Sequence, residues 1–135
     1  MKTTILRPYA PACSLLLFLI FILATAGRAD AVSARLFQDQ PDSAIVEISL
    51  PRPAPTNLIV EVFLPRGLAV TSGQPKPAKI DRKKGTVRWL LKDTQPGTVQ
   101  LRLVVNQALR LSDCTALIRY RQPGSGNLIE ITAQQ

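Results

Sequence analysis

An antiparallel β-sandwich of about seven strands is the fold class this chain predicts, and three observations predict it. Beyond position 31 the apolar residues recur at every second position rather than at helical spacing. Proline and glycine clusters break these runs at intervals of roughly 8 to 12 residues, the rhythm of an all-β domain. No stretch after residue 31 keeps an i, i+3, i+4 apolar pattern through three turns, and the nearest, Val104 to Leu111, is brief. Sheets stacked as a sandwich or closed as a barrel fit this pattern; alternating strands and helices do not.

The first 31 residues stand apart. Lys2 and Arg7 precede the greasy run Leu15 to Leu23, and small residues follow at Ala24, Ala26, Ala29 and Ala31. A basic start, a short apolar core and small-x-small sites are the three parts of an export signal. The competing reading is an uncleaved anchor, but the run extended to Ala26 falls short of the about 20 apolar residues that span a bilayer. Cleavage after Ala31 would leave Val32 as the new N-terminus, directly at the start of the strand pattern; cleavage after Ala26 would leave Gly27. Cys13 precedes the apolar core, the wrong side for a lipoprotein cysteine. The expectation is a signal peptide at 1–31, in contact with the membrane only in transit, and one domain at 32–135.

Removing Lys2, Arg7, Arg28 and Asp30 lowers the net charge from +8 to +6, so the domain stays basic. Only Cys114 remains, and a lone thiol closes no intrachain disulfide. It reads as a small buried hydrophobe, with pairing between chains as the alternative.

Strand by strand, Val46, Ile48 and Leu50 alternate with Ile45, Glu47 and Ser49 before the Pro51, Pro53, Pro55 stretch. Leu58, Val60, Val62 and Leu64 share the next face, then Val87, Trp89 and Leu91, then Val99, Leu101, Leu103 and Val105. Cys114, Ala116, Ile118 and Tyr120 form another inward set. The segment Pro123-Gly124-Ser125-Gly126-Asn127 turns the chain into a last strand at Leu128 to Thr132. Trp89, the only tryptophan, has apolar residues two positions to either side and belongs at the core, with ligand stacking as its alternative role.

Punctuation between the strands has physical reasons. Pro65 cannot donate to a ladder and ends the strand begun at Leu58, and Gly67 permits a positive φ in the turn that follows. Pro96-Gly97 suits the two central positions of a type II turn. Neither opens a helix, so neither reads as a phosphate-cradling loop.

Three of these motifs in order, Leu64-Pro65-Arg66-Gly67-Leu68, Gly85-Thr86-Val87-Arg88-Trp89 and Pro96-Gly97 with its alternating strand, give the chain a further meaning. From Asn57 to Ala133 it resembles the conserved repeat domain of bacterial and archaeal cell-surface proteins. The resemblance implies an immunoglobulin-like sandwich at a cell surface. The closing segment Leu128 to Ala133 departs from the family's usual Asn-Thr-Ala ending.

Catalytic equipment is sparse. The chain has no histidine, which removes the usual base near neutral pH, the commonest metal ligand and the activator of a serine or cysteine nucleophile. The carboxylates Asp39, Asp42, Glu47, Glu61, Asp81, Asp93, Asp113 and Glu130 are scattered, and Asp39 with Asp42 lacks the spacing of a calcium loop. No enzyme, metal site or cofactor is expected.

One charge feature remains, the run Lys76, Lys79, Arg82, Lys83, Lys84, Arg88 and Lys92, opposed by Asp81 and Asp93. Its bland reading is a solvated connection or hairpin whose lysines protect an edge strand. Its functional reading is contact of Lys76, Lys79, Arg82, Lys83 and Lys84 with an anionic polymer or lipid headgroups. No nucleic-acid partner is expected, since few aromatic residues lie near the run to stack on bases and the chain reads as exported. Two functions follow. One is an exported interaction or structural module of the cell envelope or surface, periplasmic or secreted, that meets an envelope protein. The other is a binding protein for an anionic envelope polymer or lipid surface.

Overall fold

Period-two alternation becomes two hydrogen-bonded sheets in the computed structural model of the protein, which describes residues 31–135. The signal-peptide expectation, Ala31 apart, lies outside the described residues. The strands are β1 (Ser33–Phe37), β2 (Ser43–Leu50), β3 (Asn57–Phe63), β4 (Val70–Gln74), β5 (Lys79–Asp81), β6 (Thr86–Lys92), β7 (Gly97–Val105), β8 (Thr115–Arg121) and β9 (Leu128–Thr132). One sheet has the order β1-β2-β7-β4 and the other β5-β6-β3-β8-β9, with every named strand pair antiparallel. Opposing β1, β2 and β7 to β3, β8 and β9 reproduces the A-B-E against C-F-G arrangement of an immunoglobulin-like sandwich.

Among the described residues nine strands therefore replace the expected seven or so. β4 reads Val-Thr-Ser-Gly-Gln and buries nothing fully, so it carries no apolar period. β5 is three residues long, too short to show one. Both are edge strands, where one side of the ladder faces solvent and the core demands little. The stretch Val104 to Leu111 is no helix: β7 runs to Val105, and a single 3₁₀ turn forms later, at Leu111–Asp113.

Inward-facing side chains meet in one core that includes Leu36, Val46, Ile48, Leu58, Val60, Val87, Trp89, Leu101, Leu103 and Ile118. Trp89 is 1% exposed, and its indole N–H donates to the Pro75 carbonyl at 2.7 Å, so the ring's polar edge is satisfied as it is buried. That bond ties the β4–β5 crossover onto the core. Pro77 lies over Gly73 so closely that a Cβ there would meet its ring at 2.6 Å. On the opposite side of the sandwich, Gln134 bridges to β1, its N–H bonding Ala34 and its carbonyl accepting from Leu36. Crossover and bridge each cover a seam between the sheets.

The turns follow their residues. Gly67 takes φ +90°, as its position after Pro65 requires. Gly97 takes φ +128° at the start of β7, within an open bend rather than a regular turn, and Asp93 also has a positive φ of 52°. Cys114 is buried beside Ala116, Ile118 and Tyr120, on the face the alternation assigned.

Candidate functional site

The outward residues of the five-stranded sheet form rows that the register fixes. Lys79, Arg88, Glu61, Leu117 and Thr132 lie across one row, and Leu90, Ile59, Arg119 and Glu130 across the next. Glu61 sits at the middle of this face yet is only 7% exposed. Its Oε1 receives Arg88 at 2.8 Å and Arg119 at 2.9 Å, and Arg119 reaches on through Nε to Glu130 at 2.6 Å. Two guanidiniums lying over one carboxylate explain how an acid becomes buried on a solvent-facing surface. The Arg119 guanidinium is held more firmly protonated, first by its bond to Glu130 and then by the Glu61 charge. Around this network the half-buried Ile59, Phe63 and Leu117 and the exposed Leu90 supply apolar area.

The basic segment does not act as one patch. The β5–β6 hairpin divides it. Lys79, Lys84 and Arg88 line a cleft of about 210 Å³ together with Glu61, Phe63, Asp81 and Thr86. Arg82 and Lys83 face a second cleft of about 310 Å³, where they meet Pro65, Arg66, Gly67, Leu68 and Gly85. Lys76 lies exposed on the β4–β5 crossover and lines neither. Asp81 shapes the hairpin: its Oδ1 accepts the backbone N–H groups of Lys83 at 3.1 Å and Lys84 at 3.0 Å. The Lys84 N–H leads the effects holding its carboxyl below the ordinary aspartate value. Arg66 is the member of the second cleft that the sequence did not reveal. It stands eighteen positions from Lys84, outside the charge run, and only the folded turn brings it there.

Elsewhere the carboxylates serve as structural partners. Glu47 pairs with Arg35 at 2.5 Å and accepts from Gln100 at 2.8 Å. Asp39 takes the Ser43 hydroxyl and the Arg102 guanidinium. Each is held below its ordinary value, Glu47 by Arg35 first and Asp39 by Ser43 first. A carboxylate so engaged is a poor general acid or base near neutral pH. Among the described residues no three His, Cys, Asp or Glu side chains gather where they could hold a metal ion. Burial, with Asp113 adding to it, pushes the Cys114 thiol up, so it stays protonated and unreactive. The described domain is a β-sandwich of two antiparallel sheets.

No family model matches the chain, and no curated protein matches it. Among solved structures it is similar to a collagen-binding domain from a Staphylococcus aureus adhesin, at 8% identity and a TM-score of 0.41 over 82% of this chain and 100% of that one.

Proposed function

We propose that the chain is an exported interaction module of the cell envelope or surface, which meets a partner protein through the outer face of its five-stranded sheet. The observation that carries this reading is the fixed network of Arg88, Glu61, Arg119 and Glu130 set among Ile59, Phe63, Leu117 and Leu90. Arginine and apolar side chains together are the composition of protein contact surfaces. Ordering these side chains beforehand lowers the entropy lost on association. Export is supported by the basic, apolar and small-residue segments of 1–31.

A second reading, binding of an anionic envelope polymer or lipid surface through the 76–92 segment, is supported by the convergence of Lys79, Lys84 and Arg88 on one cleft. Salt separates the two, because contacts made by exposed lysines weaken as ionic strength rises. The test is recovery of the tagged protein from cell envelopes at low and high salt, with N-terminal sequencing of the recovered chain. The first reading expects Val32, or Gly27, as first residue and a partner protein that is retained at high salt and lost from Leu90→Glu. An intact N-terminus overturns export, and a partner indifferent to Leu90→Glu overturns the face.

A further inference from the structure

The second cleft is built differently from the rest of the basic surface. Its two walls are the β3–β4 turn and the β5–β6 turn, and the backbone locks one to the other: the Leu64 N–H donates to the Gly85 carbonyl at 2.7 Å. Gly85 has φ +67°, and a Cβ on it would stand 2.7 Å from the Leu64 carbonyl oxygen, so only glycine permits this approach. The β3–β4 turn is held from its other side as well. Ala69 donates to Asn106 Oδ1 at 3.0 Å and accepts from the Asn106 N–H at 2.9 Å, while Gln107 donates to the Gly67 carbonyl at 3.3 Å. Asp81 fixes the opposite wall through the N–H groups of Lys83 and Lys84.

Arg66, Arg82 and Lys83 line this one space, and no carboxylate is in its lining. Among the described residues none of the three makes an ion pair, whereas Arg35, Arg88, Arg102 and Arg119 all do. In the neighbouring cleft Lys79, Lys84 and Arg88 face Glu61 and Asp81, so the two clefts differ in net field.

We infer that the cleft between the two turns is an anion site for a phosphomonoester group, held by Arg66, Arg82 and Lys83. Two guanidinium forks and an ammonium present more donors than the two oxygens of a carboxylate can accept, whereas a terminal phosphate offers three oxygens and close to two charges. The inference rests on the anionic-partner reading above, moves its centre to the tip of the domain and adds Arg66 to it. A phosphorylated soluble molecule and a phosphatidic acid headgroup present the same group.

Amide NMR of the protein as recovered from cells tests it, with inorganic phosphate, then acetate, then vesicles of phosphatidylcholine with and without phosphatidic acid. Phosphate should shift the amides of Gly67, Leu68 and Gly85 saturably, and acetate should do so much more weakly. Arg82→Glu and Arg66→Glu, both exposed and so compatible with folding, should each weaken phosphate by about tenfold or more, while Lys76→Glu should change it little. Broadening by phosphatidic acid vesicles that phosphate reverses assigns the source as lipid; no broadening assigns it as soluble, and either supports the site. Shifts centred on Lys79, Lys84 and Arg88 overturn the site and leave the anionic-partner reading standing. Equal effects of acetate overturn the phosphate chemistry, and no shift at any basic residue overturns both.

Discussion

The outer faces of the two sheets follow the same period-two rule and end up chemically unlike. On the four-stranded sheet Glu47 takes both Arg35 and Gln100, and Arg102 meets Asp39, so cations and anions close on one another. Arg35 also lies 6.0 Å from the Phe37 ring centroid, a further contact within the same face. On the five-stranded sheet one buried carboxylate serves two arginines, and Leu90 and Leu128 remain 45% and 65% exposed. Lys79, Lys92 and Arg121 on that face make no ion pair among the described residues. A face that satisfies itself needs nothing from outside; a face with ordered charge and uncovered apolar area is prepared for contact.

The largest effect expected comes from beneath the contact face. Trp89 props the five-stranded sheet from inside and holds the crossover through Pro75. Trp89→Ala should cost about 3 to 5 kcal/mol by denaturant unfolding, as aromatic truncations in a core do. A parent-like midpoint would mean that the tryptophan is not part of the support.

Next comes a matched pair of acids. Glu61→Ala leaves Arg88 and Arg119 facing each other without their shared anion and should cost about 1 to 3 kcal/mol, below the cost of a fully buried pair because both arginines are partly exposed. Glu47→Ala on the other face should cost less, since Arg35 is two-thirds exposed and solvates readily. Equal losses in the two variants would erase the distinction between the faces.

Acid should produce the smallest effect. Asp39, Glu47 and Asp81 are all held below their ordinary values of 3.8, 4.5 and 3.8, so the folded state binds their protons less readily than the unfolded chain. Their contribution is present above those ordinary values and is lost as pH falls through the lower, folded-state ones. Melting followed from pH 6 to pH 2.5 should show the midpoint falling below about pH 4.5, with a shallower fall in Asp81→Asn. A midpoint that rises on acidification would contradict these pairings.

Core strands were legible in the sequence because burial imposes a period: Leu58, Val60 and Val62, or Ala116, Ile118 and Tyr120, could face only one way. β4 and β5 were not legible, because edge strands answer to one neighbour and to solvent. β1 was partly legible, since Val32, Ala34 and Leu36 alternate, but it is short. The charge run announced itself, while its division into two clefts did not, because that depends on which side of a hairpin each side chain leaves. Glu61 gave no signal at all. Its burial comes from arginines on two other strands, at a separation no local pattern encodes.

The central claim is that the five-stranded sheet presents the contact face, and photo-crosslinking in living cells tests it most directly. A photoreactive residue placed at Leu90 should yield a discrete adduct with an envelope protein, and one placed at Ser49, exposed on the other sheet, should yield none. An adduct from Ser49 with none from Leu90 would show that the partner lies on the face we hold to be self-satisfied.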